Sequence, residues 1–305
     1  MSPENEAARI KQPRYLKAWL MAIRLRTLPI PTIQVLTGTG LAYAMTGSID
    51  LLMLFYVWLT AVFITIGTNL INDVFDFIRG NDSLKPAGRL KVIPAGFLTK
   101  NEVYVAGLTA FGLAIAFSIP IAIHSGWIFF FLAVLSSICG YCYTGGPYSI
   151  SYLGLSELFI LMFYGGVCVL SAFYTQSGFL NGEAVLCALQ MGLLAVIPGA
   201  LNNFRDIHED ASVSKQTLAV RFGKTFARME IAFTLILVFI LNLIWLFFGY
   251  SEATLMPFLL IPLVFLLIQK VWTEEPGPIF NRYFGLCIAI HFLFGILLII
   301  GFFLA

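Results

Sequence analysis

The sequence predicts an all-α fold, a polytopic membrane helical bundle with about nine transmembrane helices. Hydrophobic residues make up 59% of the 305-residue chain and charged residues only 11%. The apolar residues form long stretches, each near the roughly 20 residues that a helix needs to cross the hydrocarbon core of a bilayer. The basic residues all lie outside these stretches. This composition favours a protein that is embedded in the lipid bilayer and binds no nucleic acid.

Charged or turn-forming residues separate the apolar stretches into individual spans. In chain order the predicted spans are Thr27–Met45, Leu51–Ile71, Val103–Ile123, Gly126–Thr144, Leu155–Thr175, Ala184–Leu201, Ile231–Phe248, Leu255–Gln269 and Tyr283–Leu304. Residues 1–23 are polar and basic and lack the apolar core of a cleaved signal peptide, so they are predicted to be a cytoplasmic segment. Residues 1–305 are predicted to form a single intramembrane domain.

The distribution of basic residues predicts the orientation, because Lys and Arg in short loops favour the cytoplasmic side. Nine spans place all 18 basic residues on one side, in the N-terminal segment and in the loops after the second, sixth and eighth spans. The opposite loops carry only Asp50, Glu183 and Glu252 as charges. We therefore expect an integral protein of a bacterial inner membrane whose N-terminus and two longest loops are cytoplasmic.

Two patches of acids and amides follow the second and sixth spans. Their members are Asn72, Asp73 and Asp76 in the first patch and Asn202, Asn203, Asp206 and Asp210 in the second. Carboxylates three or four residues apart share one helix face and repel each other, and the membrane interior adds a desolvation cost. Mg²⁺ bound through a few carboxylates usually completes its shell with substrate phosphates. The patches therefore predict a magnesium site for a diphosphate, with Asp76, Asp206 and Asp210 as catalytic residues.

A plainer interpretation is that these acids pair with nearby Arg79 and Arg205 at the water interface. That interpretation leaves unexplained why both patches contain Asn as well as Asp.

Basic residues after each patch fit a diphosphate, since Arg and Lys bind its oxygens and stabilise it as a leaving group. The predicted substrate-binding residues of this kind are Arg89, Lys91, Lys215 and Arg221. The positive-inside rule alone would also place basic residues in these loops.

Several motifs resemble the UbiA superfamily of intramembrane aromatic prenyltransferases. They are Asn72-Asp73-Val74-Phe75-Asp76-Phe77, Arg89 with Pro94-Ala95-Gly96, Tyr143-Thr144-Gly145-Gly146-Pro147, and Asn202-Asn203-Phe204-Arg205-Asp206-Ile207-His208-Glu209-Asp210. The likeness begins at Arg24-Leu25-Arg26-Thr27-Leu28 and reaches the final span. Each motif alone would be weak, but their order and spacing are typical of the superfamily.

Within the superfamily the chain is most similar to the 1,4-dihydroxy-2-naphthoate prenyltransferases of the menaquinone pathway. Lys215-x-Thr217-Leu218-Ala219-Val220-Arg221-Phe222-Gly223 carries this likeness. The 4-hydroxybenzoate branch usually has Arg and a third Asp where this chain has Phe77 and Gly80. The family commonly has Gly before the Lys of the second motif, where this chain has Ser214, a departure that removes no ligand.

The resemblance implies a bundle with a central cavity in which Mg²⁺ holds a polyprenyl diphosphate. By motif position Asn72, Asp73, Asp76, Asp206 and Asp210 would bind the metal, and Asn72 would also contact the substrate. Asn203 and Tyr143 would line the region of the aromatic acceptor. An allylic carbocation would form and the electron-rich ring would attack it, with loss of carboxylate CO₂ from a dihydroxynaphthoate.

Other functions stay open from the sequence. The acceptor could be 1,4-dihydroxy-6-naphthoate or 4-hydroxybenzoate. A cation-coupled secondary transporter would also use Asn and Asp in a bundle, but its acids would lie near the middle of the spans. A phosphatidyltransferase would use Asp clusters and Mg²⁺, but its D-G-x-x-A-R core is absent. Glu157 is either a residue favoured by the helix dipole or an acceptor contact. Prenyl chain length and oligomeric state are not specified.

Overall fold

A computed structural model describes residues 14–80, 90–147 and 149–305, and within these ranges every regular element is helical. In chain order the helices are α1 (Tyr15–Ala22), α2 (Pro29–Thr46), α3 (Leu51–Ile78), α4 (Lys100–Ser125), α5 (Ile128–Cys142), α6 (Ser156–Ser177), α7 (Gly182–Arg205), α8 (Ile207–Ser212), α9 (Leu218–Leu246), α10 (Ser251–Thr273) and α11 (Phe280–Leu304). This confirms the all-α class.

All nine predicted spans coincide with helices. Among the described residues, seven helices are long and apolar enough to cross a membrane, namely α3, α4, α6, α7, α9, α10 and α11. Helix α5 is apolar but has only 15 residues. Helix α2 has 18 residues and contains the buried polar side chains of Gln34, Thr37 and Thr39. Gln34 Nε2 donates to the Met191 carbonyl of α7 at 2.8 Å, so this polar side chain faces a neighbouring helix and not lipid. The chain is an integral membrane protein.

Parts of the two regions predicted as long loops are helical. Helix α3 continues past Ile71 to Ile78, and α9 begins at Leu218 instead of Ile231. Hydropathy placed the end of α3 too early and the start of α9 too late, because polar side chains interrupt the apolar stretch at both places. In the structure Asp73 and Asp76 are 0% and 5% exposed, so contacts with other parts of the protein stabilise these last helical turns.

Consecutive long helices run in opposite directions, which gives the bundle two ends. One end, called the motif end here, carries the residues from Asn72 to Asp76 and from Asn202 to Asp210. At the far end the backbone N–H of Asp50 donates to Gln176 Oε1 at 2.8 Å, and Gln176 Nε2 donates to the Asp50 carbonyl at 3.0 Å. These bonds join the start of α3 to the end of α6.

Helices α6 and α7 approach closely at two glycines. A Cβ on Gly165 would lie 2.4 Å from the Ala188 carbonyl oxygen and 3.0 Å from Gly192 Cα. Small residues at such contacts let membrane helices pack through van der Waals contact. The stretch Leu161–Val169 of α6 is a π-helix, and single π-helical turns occur frequently at functional sites.

A network of buried polar side chains joins α7, α9 and α10. Gln190 Nε2 donates to Asn242 Oδ1 at 3.1 Å, and Trp245 Nε1 donates to Gln190 Oε1 at 2.7 Å. Asn242 Nδ2 donates to the Thr254 carbonyl at 2.7 Å. These side chains have partners inside the protein, so their burial does not leave the amides unsatisfied.

Candidate active site

The first patch lies on the last two turns of α3 and contacts a basic residue near the N-terminus. Arg24 Nη2 donates to Asn72 Oδ1 and, at 2.6 Å, to Asp73 Oδ1. Arg24 has φ 57°, in the left-handed region, which is uncommon for a residue with a side chain and often marks a functional site. This backbone conformation lies between α1 and the turn that leads into α2.

The other three predicted acids each form an ion pair with a basic side chain. Lys91 Nζ lies 2.8 Å from Asp76 Oδ2, and Lys215 Nζ lies 3.1 Å from Asp210 Oδ1. Arg205 binds Asp206 through two hydrogen bonds of 2.7 and 2.6 Å. Its Nη1 also donates to Asn281 Oδ1 at the start of α11.

The structure brings the two patches together at the motif end. Burial raises the pKa of Asp210 to about 6, Lys215 opposes this rise, and the charges of Asp206 and Asp76 add to it. Burial tends to lower the pKa of Lys215, but the charges of Asp210 and Asp76 outweigh it and raise the pKa above its usual range. Lys215 is therefore held as a cation between an acid of each patch.

Two carboxylate oxygens at this site have no hydrogen-bond donor among the described residues. They are the buried Asp76 Oδ1 and Asp210 Oδ2, whose other oxygens accept from lysines. In the described part of the chain no three His, Cys, Asp or Glu side chains converge on one point. A divalent cation would therefore need oxygens of a bound substrate as well, and hard oxygen donors of this kind suit Mg²⁺.

The plainer interpretation of the patches holds for Arg205, which pairs with Asp206, but not for Arg79, which does not pair with the acids of the patches. Its guanidinium donates to the carbonyls of Thr144 and Gly146 and lies 4.4 Å from the centre of the Tyr152 ring. It thereby joins the end of α3 to the connection between α5 and α6.

The same connection is bound by the segment that follows α8. Gln216 N–H donates to the Tyr152 carbonyl at 3.1 Å, and Arg221 Nη2 donates to the Leu153 carbonyl at 3.0 Å. Arg221 was predicted to bind substrate, but the structure places it on a backbone carbonyl. The connection between α5 and α6 therefore contacts residues that follow both patches.

Tyr143 and Asn203 lie on opposite sides of the start of α6. The Tyr143 side chain hydrogen-bonds to Ser156, and Asn203 Nδ2 donates to Glu157 Oε1 at 2.7 Å. The second oxygen of Glu157 is buried and has no hydrogen-bond partner in the described ranges. Glu157 therefore fixes Asn203, one of the two residues predicted to line the region of the aromatic acceptor. The sequence alone could not distinguish this role from a favourable interaction with the helix dipole.

A cavity of about 250 Å³ extends into the bundle from the two patches. Its lining includes Tyr143, Asn69 and Asn202 but none of the four acids of the patches. The two amides lie one helical turn before Asp73 and Asp206. The remaining wall is formed mainly by apolar side chains of α3, α4, α5 and α6. The site thus combines a charged entrance with an apolar interior.

Three more residues complete the comparison with the sequence: one predicted site residue, one site residue that the sequence reasoning missed, and one departure from the family's pattern. Arg89 lies outside the described residues. Arg24 was missed as a site residue, although the resemblance began at that position, because its contact with Asp73 depends on a left-handed backbone. Ser214, where the family commonly has Gly, also has φ 57°, which is the conformation that Gly adopts without strain.

Comparisons with known proteins identify the family of the chain. A model of the UbiA prenyltransferase family matches residues 33–288. The chain is 33% identical over 221 residues to 1,4-dihydroxy-2-naphthoate octaprenyltransferase of Escherichia coli (strain K12), covering 70% of each chain. It is 31% identical over 220 residues to the protein of that name from Bacillus subtilis (strain 168), covering 72% of this chain and 70% of the relative.

Solved structures share the fold at low sequence identity. The apo structure of a UbiA homologue from Aeropyrum pernix K1 aligns with a TM-score of 0.70 at 16% identity, covering 91% of this chain and 98% of that chain. A UbiA homologue from Archaeoglobus fulgidus, solved with DMAPP and Mg²⁺, aligns with a TM-score of 0.59 at 17% identity, covering 92% and 98%.

Proposed function

The chain belongs to the UbiA prenyltransferase family, and we propose that it transfers a polyprenyl group from a polyprenyl diphosphate to 1,4-dihydroxy-2-naphthoate, with loss of CO₂, in menaquinone biosynthesis. The observation that carries the proposal is that both acid patches meet close to an apolar cavity, whose lining includes Arg24 and Asn202. A diphosphate fits the charged entrance and a prenyl tail fits the interior. The naphthoate acceptor is supported by the names of the relatives from E. coli and B. subtilis.

The metal part of the proposal concerns Asn72, Asp73, Asp76, Asp206 and Asp210. The unpartnered oxygens of Asp76 and Asp210 fit a hard cation. Bound Mg²⁺ would neutralise the diphosphate and stabilise it as a leaving group. The homologue from Archaeoglobus fulgidus was solved with DMAPP and Mg²⁺, which supports the same pairing of metal and substrate here.

The basic residues have a second task once a diphosphate binds. Lys91 and Lys215 pair with acids through flexible side chains, so a small rotation would let each donate to a diphosphate oxygen. Lys215 is already held as a cation by Asp210 and Asp76. Charge-assisted hydrogen bonds of this kind strengthen as negative charge develops on the leaving group.

The apolar cavity protects the reaction that follows. Departure of the diphosphate leaves an allylic cation, which water would quench to an alcohol. A wall built mainly of apolar side chains excludes water from the tail and from the reacting carbon. We place the aromatic acceptor beside Tyr143 and Asn203, where the amide is fixed by Glu157. The ring carbon that carries the carboxylate then attacks the cation, and the bond from that carbon to the carboxylate breaks, so that CO₂ leaves and the bond's electron pair restores the aromatic ring.

A panel of acceptors tests the proposal. Purified protein receives labelled farnesyl diphosphate, Mg²⁺ and either 1,4-dihydroxy-2-naphthoate, 1,4-dihydroxy-6-naphthoate or 4-hydroxybenzoate, and mass spectrometry identifies products. We expect a decarboxylated prenyl product from the 2-naphthoate and its loss in EDTA. If only one of the other two acceptors gives a product, the assignment of 1,4-dihydroxy-2-naphthoate is wrong. Full turnover in metal-free buffer would show that the reaction does not need Mg²⁺.

A further inference from the structure

The cavity extends far along the axis of α3. Its lining on this helix runs from Asn69, near the patches, to Val57. At 1.5 Å per residue this separation corresponds to roughly 18 Å along the helix. Between these two residues, the Tyr164 hydroxyl and Thr65 Oγ1, which both line the cavity, lie 3.0 Å apart and join α6 to α3.

The cavity is enclosed by fewer helices at its inner end. Near the patches Ile30 of α2, Asn202 of α7 and Phe284 of α11 contribute to the wall. At the far end of the bundle only α3, α4, α5 and α6 contribute among the described elements, because their antiparallel directions bring residues such as Val57 and Phe129 to the same depth.

Three buried apolar side chains close this inner end and are called the floor here. Val57 of α3, Ile121 of α4 and Phe129 of α5 are 5%, 3% and 9% exposed, and all belong to one hydrophobic cluster. The ring of Tyr174 stands behind Phe129, with ring centroids 5.5 Å apart. A tail that enters from the patches therefore meets side chains that are supported from behind.

We infer that the floor sets how many isoprene units the cavity encloses, and so the tail length up to which the enzyme distinguishes prenyl diphosphates. This inference rests on the proposed function. A bilayer is as apolar as the cavity, so burial from water does not drive selection by length. Contact with the wall does, because dispersion contacts are lost wherever a unit has no partner atoms.

The size of the cavity limits the number of enclosed units. Pockets that enclose a drug-sized ligand measure about 300–1,000 Å³, and this cavity has about 250 Å³. It can therefore surround the first few isoprene units and not the whole of an octaprenyl tail. Units that fit within the cavity gain wall contacts and tighten binding, whereas units for which the floor leaves no room gain none.

Donors of graded length test the inference. Binding of the unreactive thiolodiphosphate analogues of geranyl, farnesyl, geranylgeranyl and longer diphosphates is measured by calorimetry, and kcat/KM is measured for the reactive donors. For the wild type we expect affinity to rise with length and then to level off. Phe129→Leu deepens the cavity, so levelling should occur at a longer donor.

Ala133→Leu provides the opposite change. Ala133 lines the cavity one helical turn from Phe129, so the larger side chain shortens the cavity and levelling should occur at a shorter donor. For donors on either side of the shifted limit we expect the ratio of kcat/KM to change by about 10-fold, as for one methylene group in a fitted pocket. Phe294→Leu is the matched control, because Phe294 is fully buried in α11 and is not part of the cavity wall.

The outcomes separate this inference from the proposed function. Levelling that moves in opposite directions in Phe129→Leu and Ala133→Leu, and stays in place in Phe294→Leu, supports the floor. The inference is wrong if affinity keeps rising with donor length, or if neither variant changes the donor length at which affinity levels off. If no donor yields a prenylated product, the proposed function fails, while the calorimetric series still decides whether the floor limits the tail.

Discussion

The carboxylates of Asp76 and Asp210 each accept a hydrogen bond at only one of their two oxygens. One oxygen of each accepts from a lysine, and the other is buried without a donor among the described residues. A buried acceptor without a partner costs about 1–3 kcal/mol. Such a cost is expected where a ligand supplies the missing partner, so these atoms are where the acid patches differ from ordinary surface ion pairs.

Removing one negative charge from either patch tests their role. Asp76→Asn and Asp206→Asn change charge with almost no change in shape. We expect each to lower kcat/KM by at least about 100-fold, equivalent to roughly 2.7 kcal/mol of transition-state stabilisation, while expression and thermal stability in detergent are retained. Steady-state kinetics with Mg²⁺ and a prenyl diphosphate measure the effect.

Asp50→Asn at the far end is the matched control. Asp50 caps α3 by accepting from the N–H groups of Leu52 and Met53, and Asn caps a helix about as well as Asp. Its activity should stay near that of the wild type. Near-normal turnover in the Asp76 and Asp206 variants, or equal sensitivity at Asp50, would show that the patches are not the active site.

Ser214 offers a stabilising change. Its φ of 57° costs free energy for a residue with a Cβ, and Gly would relieve this strain despite its greater freedom in the unfolded chain. We expect Ser214→Gly to stabilise the protein by about 0.5–1 kcal/mol, seen as a higher midpoint of thermal unfolding with activity retained.

A neighbouring serine provides the comparison for Ser214. Ser212 Oγ donates to the Glu209 carbonyl in α8 and has no positive φ, so Ser212→Gly should lower the midpoint. A lower midpoint for Ser214→Gly would show that strain at Ser214 is not the dominant effect.

Individual residues of the site differ in how far the sequence could predict them. Asp73, Asp76, Asp206 and Asp210 are close in sequence within each patch, and helical spacing alone places them together. Arg24 reaches Asp73 only through a left-handed residue and a fold that brings distant segments together. Pattern and propensity describe local structure, so they do not contain that contact.

At the scale of elements, the contact between α6 and α7 depends on the absence of side chains. Gly165 lies within the π-helical stretch of α6, and its Cα faces the backbone of α7 at Ala188 and Gly192. On its cavity side the same stretch contributes Phe163, Tyr164, Val167 and Cys168 to the wall. The close approach at Gly165 therefore determines how near this wall lies to the cavity axis.

Adjacent glycines separate packing from helix propensity. A Cβ at Gly165 would lie 2.4 Å from the Ala188 carbonyl oxygen, whereas nothing lies within 4 Å of one at Gly166. We expect Gly165→Ala to destabilise the protein by about 1–3 kcal/mol through overpacking and to reduce activity. Gly166→Ala should be neutral or slightly stabilising, because Ala favours helix. Equal midpoints of thermal unfolding for the two variants would contradict the close contact.

The helices themselves were predictable to different degrees. Apolar stretches predicted all nine spans because hydropathy measures the free energy of transfer into lipid. They misplaced the end of α3, where buried Asp73 and Asp76 and their basic partners keep a polar segment helical, and the start of α9. The π-helical stretch of α6 has no such signature in the sequence, since its geometry depends on packing against α7.

For the whole molecule, the orientation in the membrane stays a prediction. The one-sided distribution of all 18 basic residues predicts that the motif end is cytoplasmic. In a background without the native cysteines, cysteines introduced at Gly178 and Ser251, both exposed at the far end, should react with an impermeant thiol reagent added outside the cell. A cysteine at exposed Ser212 should not react. The reverse labelling pattern would invert the orientation.

The network of Gln190, Asn242 and Trp245 has a consequence for the height of α9 in the membrane. Lipid gives packed helices little hydrophobic reason to prefer one vertical alignment over another, so α9 could slide along α7 at small loss of apolar contact. Hydrogen bonds are directional, and the bonds among Gln190, Asn242 and Trp245 form at one alignment only. Because α9 begins shortly after Lys215, this network near the far end also fixes the depth in the membrane of the Lys215 ammonium group, which lies beside Asp210 at the motif end.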